Sequence, residues 1–111
     1  MTDQLPAGLE YVRTTDTFDH EHHPAGLRRA HRVADDVWAR LLVHTGTLAF
    51  VFEDEPDHVL RITGGQSLVI PPGRLHHVDF DAPATFALEF YRRRDDATPV
   101  PGTESGGLSA T

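Results

Sequence analysis

Apolar and polar positions alternate through the middle of the chain. From Trp38 to Thr45, Ala39, Leu41, Val43 and Thr45 fall on one face, and Trp38, Arg40, Leu42 and His44 on the other. That is the two-residue period of a strand. The pattern resumes from Thr47 to Glu53 after Gly46, which predicts a hairpin with a short turn at Thr45-Gly46. An acidic turn at 53–57 leads into a further alternating run, His58–Thr63, closed by Gly64-Gly65. Ser67–Ile70 reads as a short apolar strand. Pro71-Pro72-Gly73-Arg74 then predicts a type II turn, with glycine where φ is positive. His76–Asp81 and Thr85–Tyr91 complete the set; in the last, Phe86, Leu88 and Phe90 share one face and Ala87, Glu89 and Tyr91 the other. If the three apolar residues pack outward between sheets, Glu89 points into a barrel. No segment of helical length shows a clear 3.6-residue period, and Leu27–Asp36 is dense in Arg and poor in apolar positions. Short strands with turn signals roughly every 8 to 12 residues predict an all-β sandwich or barrel.

The ends differ from this middle. Residues 1–8 read as a loose lead-in and 9–94 as the folded domain. The tail 95–111 (DDATPVPGTESGGLSAT) is expected to be disordered, being too polar to offset its ordering entropy.

Composition narrows the chemistry. The 111 residues fit one domain. A net charge of −7 argues against nucleic acid or an anionic membrane as partner. All basic residues are Arg, so Schiff-base and P-loop lysine chemistry is excluded. Without cysteine there are no disulfides, thiolate metal sites or thiol nucleophiles, and a metal would need His, Asp, Glu or backbone oxygen. Eight histidines supply such ligands. No signal-peptide pattern opens the chain and no apolar run approaches a membrane span, so a cytoplasmic protein is expected.

One spacing stands out: Gly65, five residues, Pro71, one residue, Gly73, two residues, His76. A strand ends at Pro71, a glycine turn reverses the chain, and the next strand opens with an imidazole that a small barrel can aim inward. This resembles the second cupin motif at every fixed position, although Phe80 stands where that motif carries a trailing Asn. The first cupin motif is mostly missing: Gly46 fits its end, but Ala39 stands in place of its Glu, and its histidines would fall near Val33 and Asp35.

A wider resemblance covers residues 10 to 92. Tyr11-Val12-Arg13-Thr14, Pro24-Ala25-Gly26-Leu27, His31-Arg32, Val37-Trp38-Ala39-Arg40, Pro71 to His77 and Phe86 to Tyr91 resemble the small TehB/YeaR-like cupins, a family named after tellurite resistance. The resemblance implies a cupin-type double-stranded β-helix, a jelly-roll barrel, with an inward polar cluster of His31, His76 and Glu89 and with Arg40 nearby. Two imidazoles and a carboxylate suit one divalent metal: zinc first, with iron, nickel or manganese open. The three groups are then expected to converge within about 5 Å. Arg40, His77 and Tyr91 are the expected ligand-binding residues. His77 follows His76 on a strand and so points the other way. Longer tellurite-resistance proteins join this module to a methyltransferase, an activity not expected of 111 residues.

The leading expectation is a metal-binding cupin with a stress-related role in sensing or handling a small polar or oxyanionic ligand. A metal-dependent enzyme, a dioxygenase or an isomerase, is the second reading. A metal-free interaction module in which Glu89 pairs with Arg40 is the third. His20-Glu21-His22-His23 reads as a solvated loop, since the H-E-x-x-H spacing and its helix are missing. Trp38 and several Phe are compatible with a homodimer packed across a two-fold axis.

Overall fold

A computed structural model describes residues 5–30, 32–33 and 36–93. The order is β1 (Leu9–Thr14), β2 (Phe18–Asp19), a 3-10 turn (Ala25–Arg28), β3 (Val37–Phe52), β4 (Leu60–Thr63), β5 (Ser67–Ile70), β6 (His76–Asp79) and β7 (Ala84–Arg93). The protein is all-β, and every strand pair is antiparallel. Among the described residues, no helix is long and apolar enough to cross a membrane.

The organising element is β3. Its two halves were expected to pair with each other as a hairpin; instead they form one 16-residue strand. The first half pairs with β5 and β7, and the second with β4 and β6. β1 and β2 continue the larger layer along β7. β3 therefore belongs to two layers that face each other, which is the jelly-roll arrangement. A single Gly46 at φ 75° lets the strand bend, but it does not supply the two positive-φ positions of a tight hairpin turn. A register shift between Val43 and Thr45 makes the same passage. Because one residue is absorbed there, the inward side changes parity, from Val37, Ala39, Leu41 and Val43 to Leu48, Phe50 and Phe52.

Between the layers lies one apolar core. Leu41, Leu48, Phe50, Ile62 and Phe86 are almost completely buried. Each such side chain stabilises the fold by roughly 1.5–3 kcal/mol relative to exposure. Phe86, Leu88 and Phe90 belong to this core, so the last strand turns its aromatic face inward. Gly73 sits at φ 71°, as the Pro-Pro-Gly-Arg turn requires. Thr15, buried between β1 and β2, keeps the ladder to β7 unbroken: its N–H donates to the Leu88 carbonyl at 2.9 Å, and its Oγ1 accepts from the Leu88 N–H at 3.1 Å.

Candidate functional site

The structure distributes the expected site residues over three places. His76 occupies the end of the barrel. It opens β6 opposite Phe52, and only 3% of it is exposed. Its ring stacks on Phe50 at 5.1 Å and meets Phe52 edge-on at 6.2 Å. Nδ1–H donates to the Arg74 carbonyl at 2.9 Å. In the neutral ring that bond makes Nε2 the nitrogen with the lone pair. The turn before it is tied to the preceding segment by Gly73 N–H donating to the Val33 carbonyl at 2.9 Å.

Beside this turn an open cleft of about 520 Å3 is lined by Arg32, Glu53, Asp54, Pro72, Gly73, Arg74 and Leu75. Its two guanidinium groups differ. Arg74 lies over the Phe52 ring at 3.7 Å and bridges Asp54 at 2.9 Å and Glu55 at 2.8 Å. The Arg74 hydrogen bonds hold the Asp54 carboxyl below its ordinary range and push the guanidinium up. Arg32 is exposed and has no acidic partner among the described residues.

The second place is the outer face of the larger layer. Arg40 stands directly across from Glu89 in the β3–β7 register, and Trp38 across from Tyr91. Tyr91 O–H donates to Glu89 Oε1 at 2.7 Å, and Arg40 Nε donates to Ser67 Oγ at 3.4 Å. Burial, then the hydrogen bond to the Glu89 carboxylate, raises the Tyr91 hydroxyl above its ordinary value, against the opposing Arg40 charge. Glu89 is therefore not a partner of His76. Phe86, Leu88 and Phe90 take the inward positions of β7, so alternation sends Glu89 outward. The expected convergence of the imidazole and carboxylate fails for that reason.

His77 is the third place. It faces out from the smaller layer, as alternation requires, with Nδ1 hydrogen-bonded to Glu53 and Nε2 3.3 Å from Asp79 Oδ2. His31 lies outside the described residues. Among those described, no group of three His, Asp or Glu side chains is placed to hold a metal ion. With Glu89 on the far side of the sheet, the described donors do not fit the expected two-His, one-carboxylate set.

Asp19 organises the 20–23 loop. Asp19 Oδ1 accepts from the N–H of Glu21 at 2.8 Å and of His22 at 2.7 Å. The first of these bonds does most to hold the Asp19 carboxyl below its ordinary value. His23 Nδ1–H donates to the Asp19 carbonyl at 2.9 Å, and its ring packs on Phe80 at 5.0 Å.

Arg32, Glu53, Asp54 and Arg74 were not singled out by their pattern. The acidic run 53–57 and the Pro-Pro-Gly-Arg turn were both visible, but the contact between them joins positions about twenty apart in sequence. Only the β3–β6 pairing brings the two together.

Known proteins share this frame. The TehB-like domain matches residues 13–88. An uncharacterized protein, YeaR of Escherichia coli strain K12, is 29% identical over 97 residues, which cover 79% of this chain and 82% of that one. A crystal structure of a protein from the same strain aligns with a TM-score of 0.75 at 26% identity, covering 83% of this chain and 98% of that one. TehB from Haemophilus influenzae aligns with a TM-score of 0.71 at 18% identity; the match takes 78% of this chain but 32% of that one, and speaks for the fold alone. The jelly-roll barrel, its Pro-Gly turn leading into His76, and a domain match over most of the described residues lead to one conclusion: the chain belongs to the TehB-like family.

Proposed function

We propose that this protein is a binding module for a small anionic molecule, taken up at the barrel end where the 32–33 segment meets the Pro71–Leu75 turn. The observation that carries the reading is Arg32. It is a guanidinium on the wall of a cleft, without an acidic partner among the described residues, while the neighbouring Arg74 is saturated by Asp54 and Glu55. A planar guanidinium with unused donors suits an oxyanion, which it can hold bidentately. Arg74 then acts as a fixed wall, with the aromatic stack of Phe50, Phe52 and His76 beneath it. A tellurite-type oxyanion, the stress-related ligand class expected from the family resemblance, is one member of this chemical class.

NMR titration of the full chain with tellurite and with phosphate tests the reading. Saturable shifts at the Arg32 side chain and at Gly73 are expected, with loss of both in a folded Arg32→Gln variant. No saturable shift at millimolar anion, or unchanged binding in Arg32→Gln, overturns it. Metal content of the untagged protein is the companion measurement. Stoichiometric zinc that disappears in a folded His76→Gln variant would replace this reading with the metal-centred one.

A further inference from the structure

The outer faces of the two layers differ in kind. On the smaller layer, Arg61 pairs with Asp81, and His77 with Glu53 and Asp79, all of them groups that reach solvent. On the larger layer, the outward positions of β1, β7, β3 and β5 form three rows. One row is Tyr11, Tyr91 and Trp38; the next is Thr14, Glu89, Arg40 and Val69; the third is Ala87, Leu42 and Ser67. Aromatic and aliphatic side chains thus flank one central charged pair, and Tyr11 is 55% exposed. The polar groups of this face are bonded within it, Tyr91 to Glu89 and Arg40 to Ser67. An antiparallel sheet with one face in water ordinarily shows polar residues there. This face does not.

We propose that the outer face of the larger layer docks a second copy of this chain, sheet on sheet, across a two-fold axis through the Arg40–Glu89 row. Charge selects that occupant. Each copy presents one guanidinium beside one carboxylate, directly across the β3–β7 pair. A two-fold axis sets Arg40 of each copy against Glu89 of the other, so the face is complementary to itself. A strongly acidic or strongly basic partner would leave one of the two charges opposed and desolvated. Size limits the strength. Four strands about 4.8 Å apart and a Val37–Val43 length at about 3.3 Å per residue give a footprint of roughly 19 by 23 Å. Side-chain relief brings that toward, but not beyond, the roughly 800 Å2 per partner of a standard interface. A footprint of this size suits a reversible association rather than a permanent dimer.

Sedimentation velocity of the full chain over a micromolar concentration series tests this. The expected result is a shift from 12.3 kDa toward twice that mass as concentration rises. Arg40→Glu and Glu89→Arg are each expected to remain monomeric, and the double swap to dimerise again. Val69→Lys, at the β5 edge of the face, is expected to keep its circular dichroism spectrum and remain monomeric. A wild type that stays at 12.3 kDa throughout, a folded Val69→Lys that still dimerises, or a double swap that behaves like the single changes overturns the proposal.

Discussion

Gly46 and Gly65 both have positive φ, 75° and 90°, yet they sit in different surroundings, and this separates conformational strain from close packing. An added Cβ at Gly65 meets nothing within 4 Å. At Gly46 it would lie 2.1 Å from the Pro83 carbonyl oxygen and 2.9 Å from Ala84 Cα, both backbone atoms. Either alanine carries the left-handed penalty, about 1–2 kcal/mol. Each also lowers unfolded-state entropy, which returns about 0.4–1 kcal/mol. Gly65→Ala should therefore lose about 1 kcal/mol. Gly46→Ala must in addition push β3 and β7 apart at the Gly46–Ala84 pair, where both strands are fixed by the core. Overpacking of that kind costs about 1–3 kcal/mol. The expected difference between the variants is about 2 kcal/mol, or roughly 10 °C in melting temperature for a domain of this size. Urea and thermal unfolding followed by circular dichroism measure both. Equal losses, or a smaller loss at Gly46, would refute the idea that β3 and β7 approach too closely at the bend for any side chain there.

Thr15→Val keeps the shape of the side chain but removes the acceptor for the Leu88 N–H, so it should cost about 1–3 kcal/mol in urea unfolding, with Thr15→Ser retaining most of the stability. Tyr91 should ionise above the ordinary tyrosine value of 10 in an ultraviolet titration, and Glu89→Gln should bring its midpoint part of the way back. Because the folded value is raised, the Tyr91 contribution to stability is complete below pH 10 and lost as pH rises through the folded value, which favours alkaline unfolding. Asp19 shifts the other way: its contribution is present above the ordinary value of 3.8 and lost as pH falls through its lowered value in the fold. Amide protection of Glu21 and His22 should fade over that acid range, and in Asp19→Ala it should be lost at every pH.

Much of the fold was legible because period-two alternation survives burial on one side. The register of β7 with the first half of β3 joins two faces that the pattern draws, Ala39, Leu41 and Val43 with Phe90, Leu88 and Phe86. The Pro-Pro-Gly-Arg turn was legible for a similar reason, since Gly73 alone there can take positive φ at little cost. β1 and β2 were not legible. Their outer residues are half-exposed and irregular, and Thr15 replaces ladder contacts with a side-chain hydroxyl, a substitution without apolar period. The supposed hairpin at Thr45-Gly46 failed because glycine marks both a reversal and a bend. Which one forms depends on the partners available to each half of the strand, and β4 to β7 supply separate partners for both.

The candidate site was legible one residue at a time but not as a set. Spacing alone placed His76 at the mouth of β6, because the turn dictates where the next strand starts. Glu89 depended on which face of β7 is inward, and alternation leaves that choice open. Phe86, Leu88 and Phe90 could serve as an inter-layer filling or as an outer skin, and the carboxylate takes whichever side they leave. The energetics decide it. Three large apolar side chains bury together in the core for a gain of several kcal/mol, on the order of 2 kcal/mol each. An inward Glu89 would instead lose solvation inside an apolar barrel unless a cation met it there. On the outer face that cation is directly opposite, as Arg40, with a Tyr91 hydroxyl donating to the same group. The same preference keeps Glu89 on the outer face, away from His76 and the barrel end. Negative charge at that end is supplied by Glu53, Asp54 and Glu55 of the acidic turn, which hold Arg74 and His77, while Arg32 has no acidic partner among the described residues. In the proposed reading, an anion at the cleft meets Arg32, a guanidinium with no acidic partner among the described residues.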